Sequence, residues 1–362
     1  MSKIKAAVCH AFGEPLVIEE VSLRAPEAGE IEVTLDAVAI CHSDISFWEG
    51  GFGGILPAVY GHEAAGRVSA LGDGVHGVKV GDSVAVTLIR ACGHCVSCGS
   101  GKPTVCETPY DGATGPLTTT EGGTLYQAMA TGAFAEKVVV DQSQIVKIPE
   151  DMGKDAASLL SCGVITGVGA AVNAAGVRPG QDVVVIGAGG VGLNAIQGAR
   201  IAGARRIVAV DMTEEKLATA KEFGATDGVL ASEGKPWRAV QKLLGRGADV
   251  VLVTVGVAPV YDMAPRYLAA NGRVIVVGMP HLDQTSSYSP ILVADAGQGI
   301  IGSKMGDVVV KRDIPWMVDL YQQGRLKLDE LISGRWTLDQ INEAIADTKS
   351  GAARRNVIVF NR

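Results

Sequence analysis

No run of basic residues interrupts this 362-residue chain, whose formal net charge is −7. That argues against a nucleic-acid groove or an anionic membrane surface as its partner. No apolar stretch reaches transmembrane length without a charge or a glycine turn. The first residues, Met1-Ser2-Lys3-Ile4-Lys5, lack the apolar core of a secretion signal, so a cytoplasmic protein is expected. The 47 glycines follow no repeating period, which excludes collagen-like and low-complexity chains. What is there is an acidic globular chain, 47% hydrophobic and 20% charged, long enough for two domains.

Six of its seven cysteines fall into two groups. In such a chain they are better read as ligands than as disulfides. Cys92, Cys95, Cys98 and Cys106 form a C-x2-C-x2-C-x7-C cluster. Four thiolates close a tetrahedral shell around Zn²⁺ and leave no place for substrate, so this cluster reads as structural. Cys41 and Cys162 lie far apart, with His62 between them in Gly61-His62-Glu63-Ala64-Ala65-Gly66. Two cysteines and a histidine leave one coordination position open, as a catalytic zinc requires. Two zinc ions per chain are expected.

The first 160 or so residues read as short strands, among them Val17–Val21, Ile31–Leu35 and Ser83–Val86, separated by turns. An antiparallel or barrel-like β domain follows. Residues 101–133 are rich in Gly, Thr and Pro without apolar periodicity, a long functional or interface loop. From about residue 164, apolar runs such as Val183–Ile186, Ile207–Val210, Val250–Val253 and Val274–Val277 alternate with helical stretches such as Glu214–Phe223. Strands buried on both faces of a parallel sheet look like this, so the second part is a doubly wound α/β domain. A helix from Ile314 to Gln323 and a strand from Asn356 to Phe360 close the chain. The pattern leaves open which domain that strand joins.

Gly187-Ala188-Gly189-Gly190-Val191-Gly192 is G-x-G-x-x-G. It follows an apolar strand and opens a helix near Val191, and Asp211 ends the next strand nineteen residues after Gly192. This is the dinucleotide fingerprint in its proper context. Asp211 suits the adenosine ribose hydroxyls and repels a 2′-phosphate. Met212 and Thr213 supply no arginine for that phosphate, so NAD is expected rather than NADP.

With both zinc sets and the fingerprint in place, the chain resembles the zinc-dependent medium-chain alcohol dehydrogenases over its full length. Gly61-His62-Glu63-Ala64-Ala65-Gly66 with Gly72 and Val75 matches that family's zinc signature. Cys41-His42-Ser43-Asp44 and Ser161-Cys162-Gly163-Val164 look closest to its class I/III-like branch. The 107–133 segment is similar to thiol- or acceptor-dependent bacterial aldehyde and alcohol dehydrogenases. The resemblance implies a GroES-like β-rich catalytic domain over residues 1–163 and a Rossmann NAD-binding domain over 164–304. Residues 305–362 would be a tail returning to the first domain. It also implies a homodimer acting on a small-molecule alcohol or aldehyde.

The resemblance further assigns roles. Cys41, His62 and Cys162 hold the catalytic zinc, and Asp44 orients the ligand histidine. Glu63 lies behind the metal, and Ser43 takes the proton from the alcohol. Ser46 stands where liver-type relatives have a terminal histidine, so proton release to water is expected. His42, Thr166, Lys216 and Arg355 join Gly187, Gly189, Gly190, Val191, Gly192 and Asp211 as cofactor contacts, with Arg354 competing for the role of Arg355. Phe47, Trp48, Phe52, Leu88 and Met279 are candidate substrate-pocket residues, and an apolar pocket suits a medium-sized or aromatic alcohol. Three alternatives fit parts of the pattern: a thiol-dependent formaldehyde dehydrogenase, a zinc-free quinone or enoyl reductase on the same fold, and a zinc-stabilised binding or nucleic-acid protein. The ligand set opposes the second, and the acidity with a single four-cysteine cluster opposes the third.

Overall fold

A computed structural model describes residues 1–360. The chain divides into two units, Met1–Cys162 with Val309–Arg362, and Gly163–Val308. The second boundary falls after residue 305, where the tail was expected to begin. The turn Met305–Asp307 packs on the helix Ile165–Gly169 and so belongs to the second unit.

The first unit is built on two sheets. The larger has seven strands, and its centre is Glu30–Ala39, which pairs antiparallel with Glu63–Leu71, Lys137–Asp141 and Arg355–Val359. The closing strand therefore belongs to this unit. Register brings the site together: Ala39 opposes both Glu63 and Val357. Cys41 lies two residues beyond Ala39, and Arg355 two residues before Val357. The smaller sheet has five strands in the order Leu117–Thr119, Val17–Leu23, Ser2–Cys9, Ala58–Val59, Tyr126–Gln127. Two of these come from the segment expected to be irregular loop. Three residues and two residues are too few to show a periodicity.

In the second unit, six parallel strands run in the order Asp227–Leu230, Arg206–Asp211, Asp182–Ile186, Ala248–Val253, Leu268–Val276, Gly299–Gly302. Val183, Val184 and Val185 are fully buried, as a strand covered on both faces requires. The helix expected at Ile314 begins earlier, at Val310. The Asp313 carboxylate accepts the Val309 N–H at 2.8 Å and starts it there. The helical run Lys154–Ala174 has the length and apolarity to cross a membrane, with 89% of its most apolar window buried in the protein, as in a core helix.

Candidate active site

Cys41 follows the central strand of the larger sheet by two residues and caps the helix His42–Trp48. His62 immediately precedes the neighbouring strand, which Glu63 opens, and Cys162 sits in a π-helical turn, Leu160–Val164, a feature common at functional sites. The Ser161 hydroxyl donates to the Ala64 carbonyl at 3.0 Å and pins that turn to the His62 strand. Ligand atoms of Cys41, His62, Glu63 and Cys162 all lie within 4.8 Å of one another, and all four residues are buried.

Asp44 organises this group. Its Oδ1 lies 2.9 Å from His62 Nδ1 and accepts the Gly61 N–H at 3.0 Å, while Oδ2 accepts the Cys41 N–H at 3.0 Å. A carboxylate only accepts, so Nδ1 carries the proton and Nε2 keeps its lone pair for a metal. Burial lowers the His62 basicity, but the charge and hydrogen bond of Asp44 together with Cys41 outweigh it and hold the ring well above its ordinary value. The Cys41 thiol is held well below its ordinary value, first by the Cys162 thiol and then by His62. An environment that favours positive charge beside a thiolate also favours Zn²⁺, and the N and S donors suit it. The residues present fit a catalytic zinc.

Glu63 is buried against Arg355, and the two form an ion pair. Burial pushes the Glu63 carboxyl up to about 7, with Arg355 opposing. The sequence reading did not join these two residues. The guanidinium lies close enough to the Cys41 and Cys162 thiols to act on them electrostatically, and Arg355 is 6% exposed. Ser43 Oγ lies 3.4 Å from His62 Nε2, and His42 is exposed on the same helix.

The sulfurs of Cys92, Cys95, Cys98 and Cys106 also lie within 4.8 Å of one another. Backbone N–H groups point at them: Cys95 N–H at Cys92, Cys98 N–H at Cys95 and Cys92 N–H at Cys106, at 3.3 to 3.4 Å. Such donors stabilise thiolates. The Cys92 thiol is pulled down to about 5, first by Thr108 and then by the His94 N–H, while burial pushes Cys98 up to about 12. Four thiols this close ionise together only around a cation, so this set also fits zinc.

In the second unit the loop Gly187–Gly192 joins the strand Asp182–Ile186 to the helix Gly190–Ile201. Gly187 has φ +96°, and a Cβ on it would overlap Val255 and Thr254. A Cβ on Gly189 would meet nothing within 4 Å, which leaves the space a pyrophosphate needs beside a helix N-terminus. The Asp211 carboxylate accepts N–H groups from Ala188 at 2.6 Å and Met212 at 2.7 Å, so it lies at the glycine loop. This cradle fits a dinucleotide. Lys216 is half-buried on the helix Glu214–Glu222. Thr166 is buried on the helix Ile165–Gly169, and its hydroxyl lies 3.7 Å from Met305 Sδ.

The matches to known proteins agree with this chemistry. Residues 27–150 match the alcohol dehydrogenase GroES-like domain, and residues 190–323 match the zinc-binding dehydrogenase family. The NDMA-dependent alcohol dehydrogenase of Amycolatopsis methanolica is 36% identical, over 99% of each chain. The chain belongs to the zinc-dependent medium-chain alcohol dehydrogenase family. Two solved structures match it over the whole of both chains. The alcohol dehydrogenase zinc-binding domain protein from Burkholderia ambifaria has a TM-score of 0.95 at 34% identity. The benzyl alcohol dehydrogenase from Acinetobacter calcoaceticus has 0.93 at 30%. The chain is thus an oxidoreductase of a family that acts on small-molecule alcohols with zinc and a nicotinamide cofactor, on a GroES-like domain joined to a Rossmann sheet.

The pocket candidates are scattered. Phe47 meets Phe52 edge to face at 5.2 Å and stacks on Tyr60 at 6.3 Å. Trp48 instead donates its indole N–H to the Glu14 carbonyl at 2.7 Å and lies under Lys349. Leu88 is half-buried in the first unit, and Met279 is 61% exposed in the second.

Proposed function

We propose that this protein is an NAD-dependent alcohol dehydrogenase with two zinc sites. It would oxidise a primary or secondary alcohol bearing an apolar, preferably aromatic, group to the aldehyde or ketone. The convergence of Cys41, His62 and Cys162 around one point, with Asp44 fixing the histidine, carries the reading. When bound, zinc supplies a Lewis acid to the alcohol oxygen and nicotinamide supplies the hydride acceptor. Cys41, His62 and Cys162 hold the catalytic metal, and Cys92, Cys95, Cys98 and Cys106 hold the structural one. Ser43, beside His62 Nε2, takes the alcohol's proton at its hydroxyl. Ser46 lacks the basicity to end that path, so the proton leaves to water. Glu63 and Arg355 place a paired charge behind the ligands.

Asp211 receives the adenosine ribose, with Lys216 beside it. The open space at Gly189 and the helix N-terminus at Gly190 take the pyrophosphate. Thr166 packs on the nicotinamide. The Phe47–Phe52 pair supports an aromatic substrate, and the benzyl alcohol dehydrogenase among the solved relatives supports it further. The exposed edge strand Gly299–Gly302, with Ile300 and Ile301 facing solvent, supports a homodimer, which sedimentation checks. A reducing compartment suits two thiolate-rich metal sites, so the reading places the protein in the cytoplasm.

A steady-state screen of alcohols with NAD⁺, run with and without a low-molecular-weight thiol and with and without NDMA, tests the reading. NADH formed from aromatic alcohols without additives supports it. Formaldehyde oxidation that appears only with thiol would replace it with the thiol-dependent reading. Turnover that appears only with NDMA would make an external acceptor obligatory.

A further inference from the structure

A cavity of about 240 Å³ opens in the first unit, and none of the residues lining it belongs to either metal-ligand group. The strands Glu30–Ala39 and Ile145–Lys147, the turn at residues 76–78 and the start of the helix Val310–Gln322 wall it. Ile31 and Ile145, both buried, give it an apolar floor. Its polar groups are Lys147, Lys311, His76 and Gln142, and among the described residues no Asp or Glu lines it. In a chain with 39 acidic residues against 32 lysines and arginines, a cavity that gathers two lysines and no carboxylate runs against the composition.

Two of these polar groups are held in place. Lys147 Nζ lies 3.0 Å from Asp82 Oδ1, and Asp82 Oδ2 accepts the Lys79 N–H at 3.0 Å. The Gln142 side-chain oxygen accepts the His76 backbone N–H at 3.4 Å, which leaves its NH₂ as a donor. The other two are uncommitted. Neither the Lys311 ammonium nor the His76 ring has a hydrogen-bond or ion-pair partner among the described residues, whereas the adjacent Arg312 is paired with Asp313 at 2.6 Å.

Uncommitted donors above an apolar floor suit an anion that carries an apolar body. The charge meets the ammonium groups and the body covers the isoleucines. A bare phosphate would use the donors and leave the floor wet, and a neutral ring would do the reverse. Asp82 narrows the choice further. Its charge offsets one of the two lysines, so the balance suits a single negative charge better than the two of a phosphate.

We propose that this cavity is a binding site for a small carboxylate with an apolar body, with Lys311 as the cation that receives it. Nothing in the site depends on the metal or cofactor sites.

Benzoate is the probe, titrated into the full-length protein as purified and followed by ligand-observed NMR. Partly exposed ion contacts are weak, so its Kd should be about 1 mM. Benzamide, which has the shape without the charge, and inorganic phosphate, which has charge without the body, should each bind roughly fivefold more weakly or worse. Lys311→Glu puts a like charge at the site and should weaken benzoate binding roughly tenfold or more. Lys311→Arg should stay within about twofold of wild type, since it keeps the charge. Lys311 is exposed, so both variants should melt as wild type does. Cys162→Ser, which removes a metal ligand, should bind benzoate as tightly as wild type. An unchanged Kd in Lys311→Glu, or loss of binding in Cys162→Ser, would place benzoate elsewhere and overturn the proposal. So would benzamide or phosphate binding as tightly as benzoate, or no benzoate binding at all. Each of these results leaves the dehydrogenase reading standing.

Discussion

Asp44 is joined to both ends of the metal-ligand cradle: it lies 2.9 Å from His62 Nδ1 and accepts the Cys41 N–H at 3.0 Å. One buried carboxylate thus fixes the tautomer of one ligand and the backbone of another. Asp44→Asn should weaken zinc binding at the catalytic site roughly 10–100-fold, the usual cost of losing such a partner. Competition with a chelator measures it. The four-cysteine site should keep its affinity.

Glu63 and Arg355 are buried together, at 0% and 6% exposure. Removing one partner strands the other charge. Arg355→Met should therefore cost about 3–5 kcal/mol in urea unfolding. The double variant Glu63→Gln with Arg355→Met should be less destabilised than Arg355→Met alone, since it leaves no orphan charge. A double variant weaker than the single would show that packing outweighs the ion pair.

Asp211 is held at the glycine loop by two N–H groups. NAD⁺ should win over NADP⁺ by a large factor in kcat/KM, because the carboxylate repels a 2′-phosphate. Asp211→Gly with Met212→Arg should move the preference toward NADP⁺. Equal use of both cofactors by the wild-type protein would contradict the assignment.

Ser43→Ala should lower kcat on the order of 10²-fold or more, as loss of a positioned proton-transfer group does. Ser43→Thr keeps the hydroxyl and should be nearly neutral. Ser46→His adds a base with a pKa of about 6.5 and should raise activity mainly at lower pH. The pH–rate profiles of the three decide. Wild-type kcat in Ser43→Ala would send the proton by another route.

What the sequence made legible was chemistry with fixed spacing. The glycine loop, the four clustered cysteines and His62 each need particular residues at particular distances, and the fold brings the cysteine sulfurs together and His62 beside Cys41 and Cys162. Contacts made by sheet register were not legible. Glu63 meets Arg355 only because Ala39 pairs with Glu63 on one side and Val357 on the other. Pocket residues stayed ambiguous because an aromatic side chain serves core and pocket equally. Phe47 meets Phe52, whereas Trp48 is tied to Glu14 and Lys349.

The most direct measurement is zinc content and NAD-linked alcohol oxidation in three proteins: wild type, Cys162→Ser and Cys95→Ser. The two ligand groups are separate, so wild type should hold two zinc ions per chain and form NADH from an alcohol. Cys162→Ser should keep one zinc and most of its stability but lose activity, and Cys95→Ser should lose one zinc and much of its stability. A wild-type chain with a single zinc, or a fully active Cys162→Ser protein, would contradict the account.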